Sequence, residues 1–252
     1  MEPNEQPASA GSFQHGQPRP MLRRIHHILH ANPSLVPLLV LVVSVLVFGL
    51  MIGPRFFSPI ALSLILQQVA IVGIVGVAQS LVILTAGIEL SVGAIMVLSS
   101  VIMGQFTFRY GLPPSLALVC GLSAGAFFGL INGCLVALMR LPPFIVTLGM
   151  WQILLSANFL FSRNETIRSQ DIAAEAPILQ LWGKGIEVFG TTMTLGTILM
   201  IGLMLLFAFV LQHTAWGRHV YAVGDDPDAA ALSGVNVRAV LISVYVISGL
   251  VC

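Results

Sequence analysis

Long apolar runs, nearly free of charge, constrain this chain more than any other feature of its sequence. About 20 apolar residues cross a hydrocarbon layer of ~30 Å, and by that measure the sequence predicts six complete spans. They cover residues 34–53, 60–84, 90–108, 113–139, 143–161 and 191–211. Only 8% of the residues are charged, against ~25% in an ordinary globular domain. We therefore predict an all-α membrane protein, a polytopic helical bundle.

The two ends of the chain differ from its middle. Residues 1–20 are rich in Pro, Gln, Gly and Ser, and such a segment buries too little apolar surface to fold. A basic stretch follows, so we predict a disordered, basic tail over 1–33 and one transmembrane domain over 34–252. A seventh apolar run covers only 237–252. Because this is short of a full span, we expect that the chain is truncated within its seventh helix.

Basic residues in short loops indicate the side of the membrane, because cytoplasmic loops carry an excess of Lys and Arg. With the amino terminus in the cytoplasm, six arginines lie inside, namely Arg19, Arg23, Arg24, Arg140, Arg218 and Arg238. Arg55 and Arg109 lie outside, and the longer segment 162–190 adds three more basic residues there. The count of six to five favours a cytoplasmic amino terminus.

Four glycines repeat every four residues within the span 113–139. They are Gly121, Gly125, Gly129 and Gly133. This spacing places them along one helix face, where small residues let a second helix approach closely. The pattern predicts a helix-packing face; the alternative is a transport pathway lined by bare backbone.

A single carboxylate, Glu89, interrupts the otherwise uncharged block between residues 60 and 108. It lies in TAGIELSVG (85–93) beside Thr85 and Ser91. A carboxylate within a bilayer costs about 3 kcal/mol or more unless it faces a cavity or a partner. Glu89 is therefore a candidate for a substrate pathway, while a solvated cytoplasmic turn is the alternative. A broken helix that lines a cavity would reconcile the two.

Several uncharged polar residues also lie inside the predicted spans. Each of them could hydrogen-bond a polyol, or only a neighbouring helix. The candidate pathway residues are Glu89, Ser91, Gln67, Asn132 and Thr147.

The segment 213–238 carries the start and stop signals of a short helix. Asp226 suits the N-cap, Pro227 the first helical position and Gly234 the position that follows the helix. We therefore predict a helix of about two turns in a solvated loop between two spans. A plain connector needs no such set of signals, so the helix indicates docking into a groove of another protein.

Other motifs are missing from the sequence. It contains no G-x-x-x-x-G-K-[ST] phosphate loop, no H-E-x-x-H, no G-x-S-x-G and no C-x-x-C. We therefore expect no catalysis, no metal site and no nucleotide cofactor in this chain. A net charge of +1 gives no reason to expect nucleic acid as a partner.

Three motifs together resemble a known family. GIELSVGAIM, PPFIVTLGM and WGRHVYAVGDDPDAAALSGVNV are similar to the permease subunit of bacterial ABC sugar importers of the ribose/xylose/fructose type. The resemblance runs from about residue 35 to the end. It implies an inner-membrane protein of about ten spans in a homodimeric or pseudo-dimeric core. It also implies a cytoplasmic ATPase that binds ATP, and a periplasmic sugar-binding protein.

The same resemblance implies a cytoplasmic ATPase-coupling segment over 213–237. The residues matched to it, together with the N-cap, are Gly217, Arg218, Gly224, Asp226, Ala229, Ala230, Ser233 and Gly234. Two departures are visible: Glu89 stands where the family usually has Asp, and Asp226-Pro227-Asp228 stand where it often has Asn-Glu-Glu. Glu keeps the charge but lengthens the side chain.

Three classes of function compete. The first is a sugar permease that alternates its access while a separate ATPase supplies the energy. The second is a secondary transporter driven by protons or sodium, although only Glu89 offers a membrane carboxylate and no second copy of 85–93 is visible. The third is an intramembrane enzyme, for which the spans lack a cluster of ionisable residues. The motifs favour the permease.

Overall fold

The computed structural model describes residues 34–188 and 191–252. The tail predicted for residues 1–33 lies outside the described residues. The chain divides into two compact units, with the boundary after Ser58.

The described part of the first unit is one apolar helix and a short extension. Helix α1 covers Leu35–Ile52, and a 3₁₀ turn follows at Gly53–Phe57. Gly53 has φ of +71°, a conformation that glycine adopts without steric cost, so α1 ends there. Within the turn, the rings of Phe56 and Phe57 meet edge to face with their centroids 5.1 Å apart.

The second unit is a helical bundle with one small hairpin. Its first helices are α2 (Pro59–Leu84), α3 (Val92–Phe108), α4 (Pro114–Ala137) and α5 (Pro143–Ser162). Next come α6 (Ser169–Glu175), a 3₁₀ turn (Pro177–Gly183) and strands β1 (Gly185–Val188) and β2 (Thr191–Thr194). The last helices are α7 (Leu195–His213), α8 (Ala215–Asp225), α9 (Pro227–Leu232) and α10 (Val237–Val251). The helical membrane-protein fold expected from the sequence is confirmed, with this hairpin as a small addition.

Five of the described helices are long and apolar enough to cross a membrane. They are Leu35–Phe57, Pro59–Leu84, Pro114–Ala137, Pro143–Ser162 and Leu195–His213. The apolar helices α3 and α10 are shorter. At 1.5 Å per residue the 17 residues of α3 extend about 26 Å, so the expected span 90–108 is shorter than the layer, and the count of six complete spans stays a prediction.

The span predicted over 191–211 begins in the wrong place. Thr191–Thr194 form strand β2, which pairs antiparallel with β1, and Gly185 faces Thr194. Threonine is β-branched and favours strands. The Thr194 hydroxyl then accepts a hydrogen bond from Thr197 N at 3.3 Å, which caps α7 and delays its start to Leu195.

Close backbone contact joins α4 to α10. A Cβ at Gly125 would collide with the carbonyl oxygen of Gly249, and one at Gly129 with the carbonyl oxygen of Tyr245. At Gly133 it would lie 3.0 Å from the Cα of Ile242. Gly121 instead lies against α3, where the Met103 side chain occupies the space. Three glycines of the row therefore lie against α10, and the fourth lies against α3.

The apolar core of this unit has two parts. The larger cluster joins the ends of α2, α4, α5 and α10 to α8 and α9. Its buried members are Leu81, Val82, Val136, Val146, Val220, Val223, Ala230, Val240, Val244 and Tyr245. The smaller cluster joins α3 to α5 through Ala94, Ile95, Leu98, Met150 and Leu154. The first cluster brings the segment 213–238 against the same end of the bundle as the α2–α3 connection.

The contact of Gly129 with α10 predicts how one added methyl group changes the stability of the fold. Gly129→Ala forces α10 away from α4, so we expect a loss of about 1–3 kcal/mol in the free energy of unfolding. Thermal unfolding of the purified chain in detergent measures it. Gly149→Ala is the matched control, because nothing lies within 4 Å of a Cβ at Gly149. Equal stability of the two variants would contradict the contact.

Candidate functional site

The connection between α2 and α3 is a non-helical segment folded into the bundle. The N–H groups of Thr85 and Gly87 both donate to the carbonyl oxygen of Val82, at 3.1 and 3.0 Å. Between them Ala86 has φ of +56°, a left-handed conformation that ends helices but is disfavoured for alanine. From Gly87 to Ser91 the backbone is not helical, and residue 89 enters the interior.

Glu89 is buried and hydrogen-bonded through both carboxylate oxygens. Its side chain is 4% exposed. Oε1 accepts hydrogen bonds from the backbone N–H and from the hydroxyl of Ser91, and Oε2 accepts one from Asn132 Nδ2 at 3.0 Å. Donors of this kind are what a buried carboxylate requires. The hypothesis that Glu89 is solvated in a turn is therefore wrong.

Two further helices hold this segment. Asn132 of α4 donates to Ser91 Oγ at 2.9 Å as well as to Glu89, so one amide joins both polar groups to α4. Thr147 of α5 donates to the carbonyl oxygen of Ile88 at 3.2 Å. Ser91, Asn132 and Thr147 are each 0% exposed. Four of the five candidate pathway residues thus form one buried cluster, which we call the Glu89 cluster (Glu89, Ser91, Asn132 and Thr147).

Gln67 does not belong to the Glu89 cluster. It is exposed and lines a different cavity with Lys184 and Gln180. It lies 17 positions before Leu84, the last residue of α2, which is about 26 Å along the helix axis. Polarity within a span does not reveal depth, and the expectation that Gln67 lines a substrate pathway stays a prediction.

Tyr245 borders the same segment, although the sequence did not single it out. Its side chain is 1% exposed, and its hydroxyl has no hydrogen-bond partner among the described residues. A Cβ at Gly87 would lie 3.0 Å from that hydroxyl. Asn132 Oδ1 is likewise buried without a partner within 34–188 and 191–252. Two buried polar atoms without a hydrogen-bond partner among the described residues therefore occur at the Glu89 cluster. Nothing in the sequence indicated Tyr245, because an aromatic residue within an apolar run is common in membrane helices.

The segment 213–238 contains two helices rather than the one expected. The short helix α9 begins as its capping residues predict: Asp226 Oδ1 accepts from Asp228 N and Ala229 N at 2.9 and 3.0 Å. After it, Gly234 has φ of +86°. The additional helix, α8, is capped by Thr214, whose hydroxyl accepts from Gly217 N at 3.1 Å. A Thr before a run with apolar residues on one face could have revealed α8.

The residues assigned to coupling divide into two sets. Gly217 and Ala230 are buried, and Gly224 is half-buried. The exposed set comprises Arg218, Asp226, Ala229, Ser233 and Gly234. A Cβ at Gly224 would collide with the carbonyl oxygen of Leu84 and lie 3.3 Å from the Cα of Thr85. The backbone of α8 therefore touches the start of the non-helical stretch 85–91, which we call the Glu89 segment.

Comparison with known proteins assigns the chain to a family. A family model described as "Branched-chain amino acid transport system / permease component" matches residues 61–252. The chain belongs to this permease family. The stretch matched contains the Glu89 cluster and both helices of the segment 213–238, and the chain is a multi-pass membrane protein.

Curated relatives of the chain carry the names of sugar permeases. The chain is 63% identical to the fructose import permease protein FrcC of Rhizobium meliloti over 92% of its own length and 64% of the relative's. It is 32% identical to the ribose import permease protein RbsC of Bacillus subtilis, over 84% of its length and 62% of the relative's. The galactofuranose transporter permease YtfT of Escherichia coli is 33% identical, over 86% and 64%. The resemblance drawn from the three motifs is confirmed.

The chain spans about two thirds of the length of these relatives. No solved structure matches it significantly.

Removing the amide of Asn132 tests the Glu89 cluster. In Asn132→Leu the carboxylate and Ser91 lose a shared donor, so we expect a loss of about 1–3 kcal/mol in the free energy of unfolding. Asn158→Leu is the control, because Asn158 Oδ1 is buried without a partner in the described chain. Thermal unfolding in detergent compares the two. If Asn158→Leu is the more damaging change, the hydrogen bonds to Glu89 contribute less than this geometry implies.

Proposed function

We propose that the chain is the membrane-spanning permease subunit of an ATP-binding-cassette importer that carries a monosaccharide across the bacterial inner membrane. The observation that carries this proposal is the 63% identity to a fructose import permease. Ribose and galactofuranose permeases are more distant, so fructose is the first sugar to test. ATP is bound and hydrolysed by a separate subunit, and a periplasmic sugar-binding protein delivers the sugar. A second permease copy completes the core.

Helix α9 supports docking of the ATPase. Leu232, its last residue, is 91% exposed, whereas Ala230 on the same helix is 5% exposed and packs into the larger core cluster. One face of α9 is thus anchored and another presents a large apolar side chain. This is the arrangement by which a short amphipathic helix enters a groove of a partner.

Contacts at the two ends of the second unit support an assignment of the end that faces the cytoplasm. The Glu89 segment, the α4–α5 connection and the segment 213–238 lie at one end, since the larger core cluster joins them. At the other end Gly104 of α3 lies against Ile167, and Ser63 of α2 accepts a hydrogen bond from Thr192 N at 2.9 Å. Docking of a cytoplasmic ATPase requires the first end to face the cytoplasm. The sequence has one predicted span, 34–53, before this unit, so this orientation agrees with the cytoplasmic amino terminus that the count of basic residues favours.

The contact of Gly224 with Leu84 suggests how ATPase movement reaches the sugar pathway. Val220 and Val223 pack α8 into the larger core cluster, and Trp216 Nε1 donates to Ser243 Oγ of α10 at 2.8 Å. Ala230 of α9 belongs to the same cluster, so movement of α9 carries α8 with it. At Gly224 no side chain separates α8 from the backbone of Leu84, so the displacement passes to the Glu89 segment. We assign the Glu89 cluster to the sugar pathway on this basis.

Leu232→Ala tests the docking role of α9. We expect the amount of ATPase that co-purifies with the chain to fall at least about tenfold, as when a central apolar side chain leaves an interface. Fructose uptake should fall in parallel. Leu160→Ala is the control, because Leu160 is 80% exposed and lies on α5. Unchanged co-purification with Leu232→Ala would refute docking through α9.

An uncoupler separates the proposal from a secondary transporter. Uptake by the permease should persist when the proton gradient is dissipated and cellular ATP is held constant. Uptake that collapses under these conditions would contradict the ATPase-driven mechanism and favour ion coupling.

Gly224→Ala tests transmission to the Glu89 segment. The three cysteines Cys120, Cys134 and Cys252 are first replaced by Ser. Ile88→Cys, at a side chain that is 49% exposed, then reports on the segment through its rate of labelling by a maleimide. We expect nucleotide binding to the docked ATPase to change this rate severalfold, and Gly224→Ala to abolish the change.

The control for this experiment is Gly76→Ala on α2, where a Cβ meets nothing within 4 Å. This variant should retain the nucleotide-dependent change in labelling. If Gly224→Ala responds to nucleotide like Gly76→Ala, movement does not pass through the contact with Leu84.

A further inference from the structure

A groove of about 680 Å³ opens at the end of the bundle that carries α9. Its walls are the end of α4, the start of α5, helix α9 and the first turn of α10. Its lining surface is about equally polar and apolar, and the apolar part includes Val136, Leu141, Val235, Val237 and Leu241. Three charged side chains also line it: Arg140, Arg238 and Asp228.

The positive charges of this groove are not neutralised within the described chain. Arg140 and Arg238 are both exposed, and neither makes an ion pair or a side-chain hydrogen bond with a residue of 34–188 or 191–252. Asn236 adds a further hydrogen-bond donor to the groove. Its Oδ1 accepts a hydrogen bond from Ala239 N at 3.1 Å, and its NH₂ group has no hydrogen-bond partner among the described residues. Two arginines against one aspartate leave a net positive groove, which suits an anion.

The surroundings of the groove place it at the membrane boundary. The groove lies where α4 ends and α5 begins. Both helices are long enough to cross a membrane. Leu138, Met139, Phe144 and Ile145, which flank Arg140, are 48–64% exposed. Such apolar side chains beside exposed arginines are typical of the level where hydrocarbon gives way to headgroups.

We propose that this groove binds the headgroup of an anionic phospholipid. Arg140 and Arg238 hold the phosphate as charge-assisted donors, and the apolar lining takes the first part of the acyl chains. A free phosphate ion would make no use of this lining, and an acidic segment of a soluble partner would leave the flanking apolar residues unexplained. The lipid would lie against Pro227, Asp228 and Ala231 of α9, directly beside the proposed docking surface.

The test uses the purified chain in detergent for lipid binding, and co-purification of the ATPase is compared for the same arginine variants. Native mass spectrometry compares binding of dioleoyl phosphatidylglycerol with that of dioleoyl phosphatidylcholine, and we expect the anionic lipid to bind more tightly. Arg140→Gln and Arg238→Gln should each weaken its binding about fivefold, and together about twenty-five-fold, from the usual attraction of one basic residue to an anionic surface. Phosphatidylcholine binding should change little.

Two further variants make the result specific. Asp228→Asn removes the carboxylate of the groove and should tighten phosphatidylglycerol binding about fivefold, a gain that damage to the fold does not produce. Arg109→Gln is the control. This exposed arginine directly follows the last residue of α3, whereas the first residue of α3 lies next to the Glu89 segment. The variant should leave the affinity for phosphatidylglycerol unchanged.

Four outcomes would overturn the proposal. They are full binding by the double arginine variant, an equal loss with Arg109→Gln, displacement of the lipid by millimolar inorganic phosphate, and loss of the ATPase with no loss of lipid. The third would indicate a site for free phosphate, and the fourth would indicate an acidic protein surface. None of them bears on whether the chain carries a sugar.

Discussion

The packing of this protein depends on how closely helix backbones approach, because apolar side chains gain little by leaving a lipid surface for a protein interior. The contact between α4 and α10 shows the consequence. Gly125 and Gly129 lie directly against carbonyl oxygens of α10, which no larger residue allows. That approach brings Tyr245 to Gly87 and closes the bundle around the Glu89 segment. The polar site therefore depends on residues that carry no polar side chain.

The Glu89 segment shows how such a bundle accommodates irregular backbone. Non-helical peptide groups within a membrane protein require internal partners, and here α4 and α5 supply part of them. Asn132 donates to both Glu89 and Ser91, and Thr147 donates to the carbonyl oxygen of Ile88. Because these partners come from separate helices, a relative movement of α4 and α5 must alter the hydrogen bonding of the Glu89 segment. The burial of Glu89 and the mobility that the proposed permease requires are thus linked at one place.

The sequence predicted features that depend on neighbouring residues, such as helix starts. It did not predict contacts between residues that are far apart in the chain. Asp226 and Pro227 predicted the start of α9 because an N-cap acts on residues two or three positions away. The spacing of Gly125 and Gly129 likewise predicted one helix face. The separation of Gln67 from the Glu89 cluster was not predicted, because a polar residue carries no information about depth along a span. The contact of Gly224 with Leu84 joins residues that are far apart in sequence, and no periodicity within either helix indicates it.

Contacts near both ends of α8 determine how many residues the helix can have. Thr214 caps the helix at one end, and Gly224 meets Leu84 near the other, with Val220 and Val223 buried between them. One residue turns an α-helix by about 100°. Insertion or deletion of a single residue between 214 and 224 would therefore rotate Gly224 out of contact and bring a side chain to the carbonyl oxygen of Leu84. The contact of Gly224 with Leu84 therefore fixes the number of residues in α8.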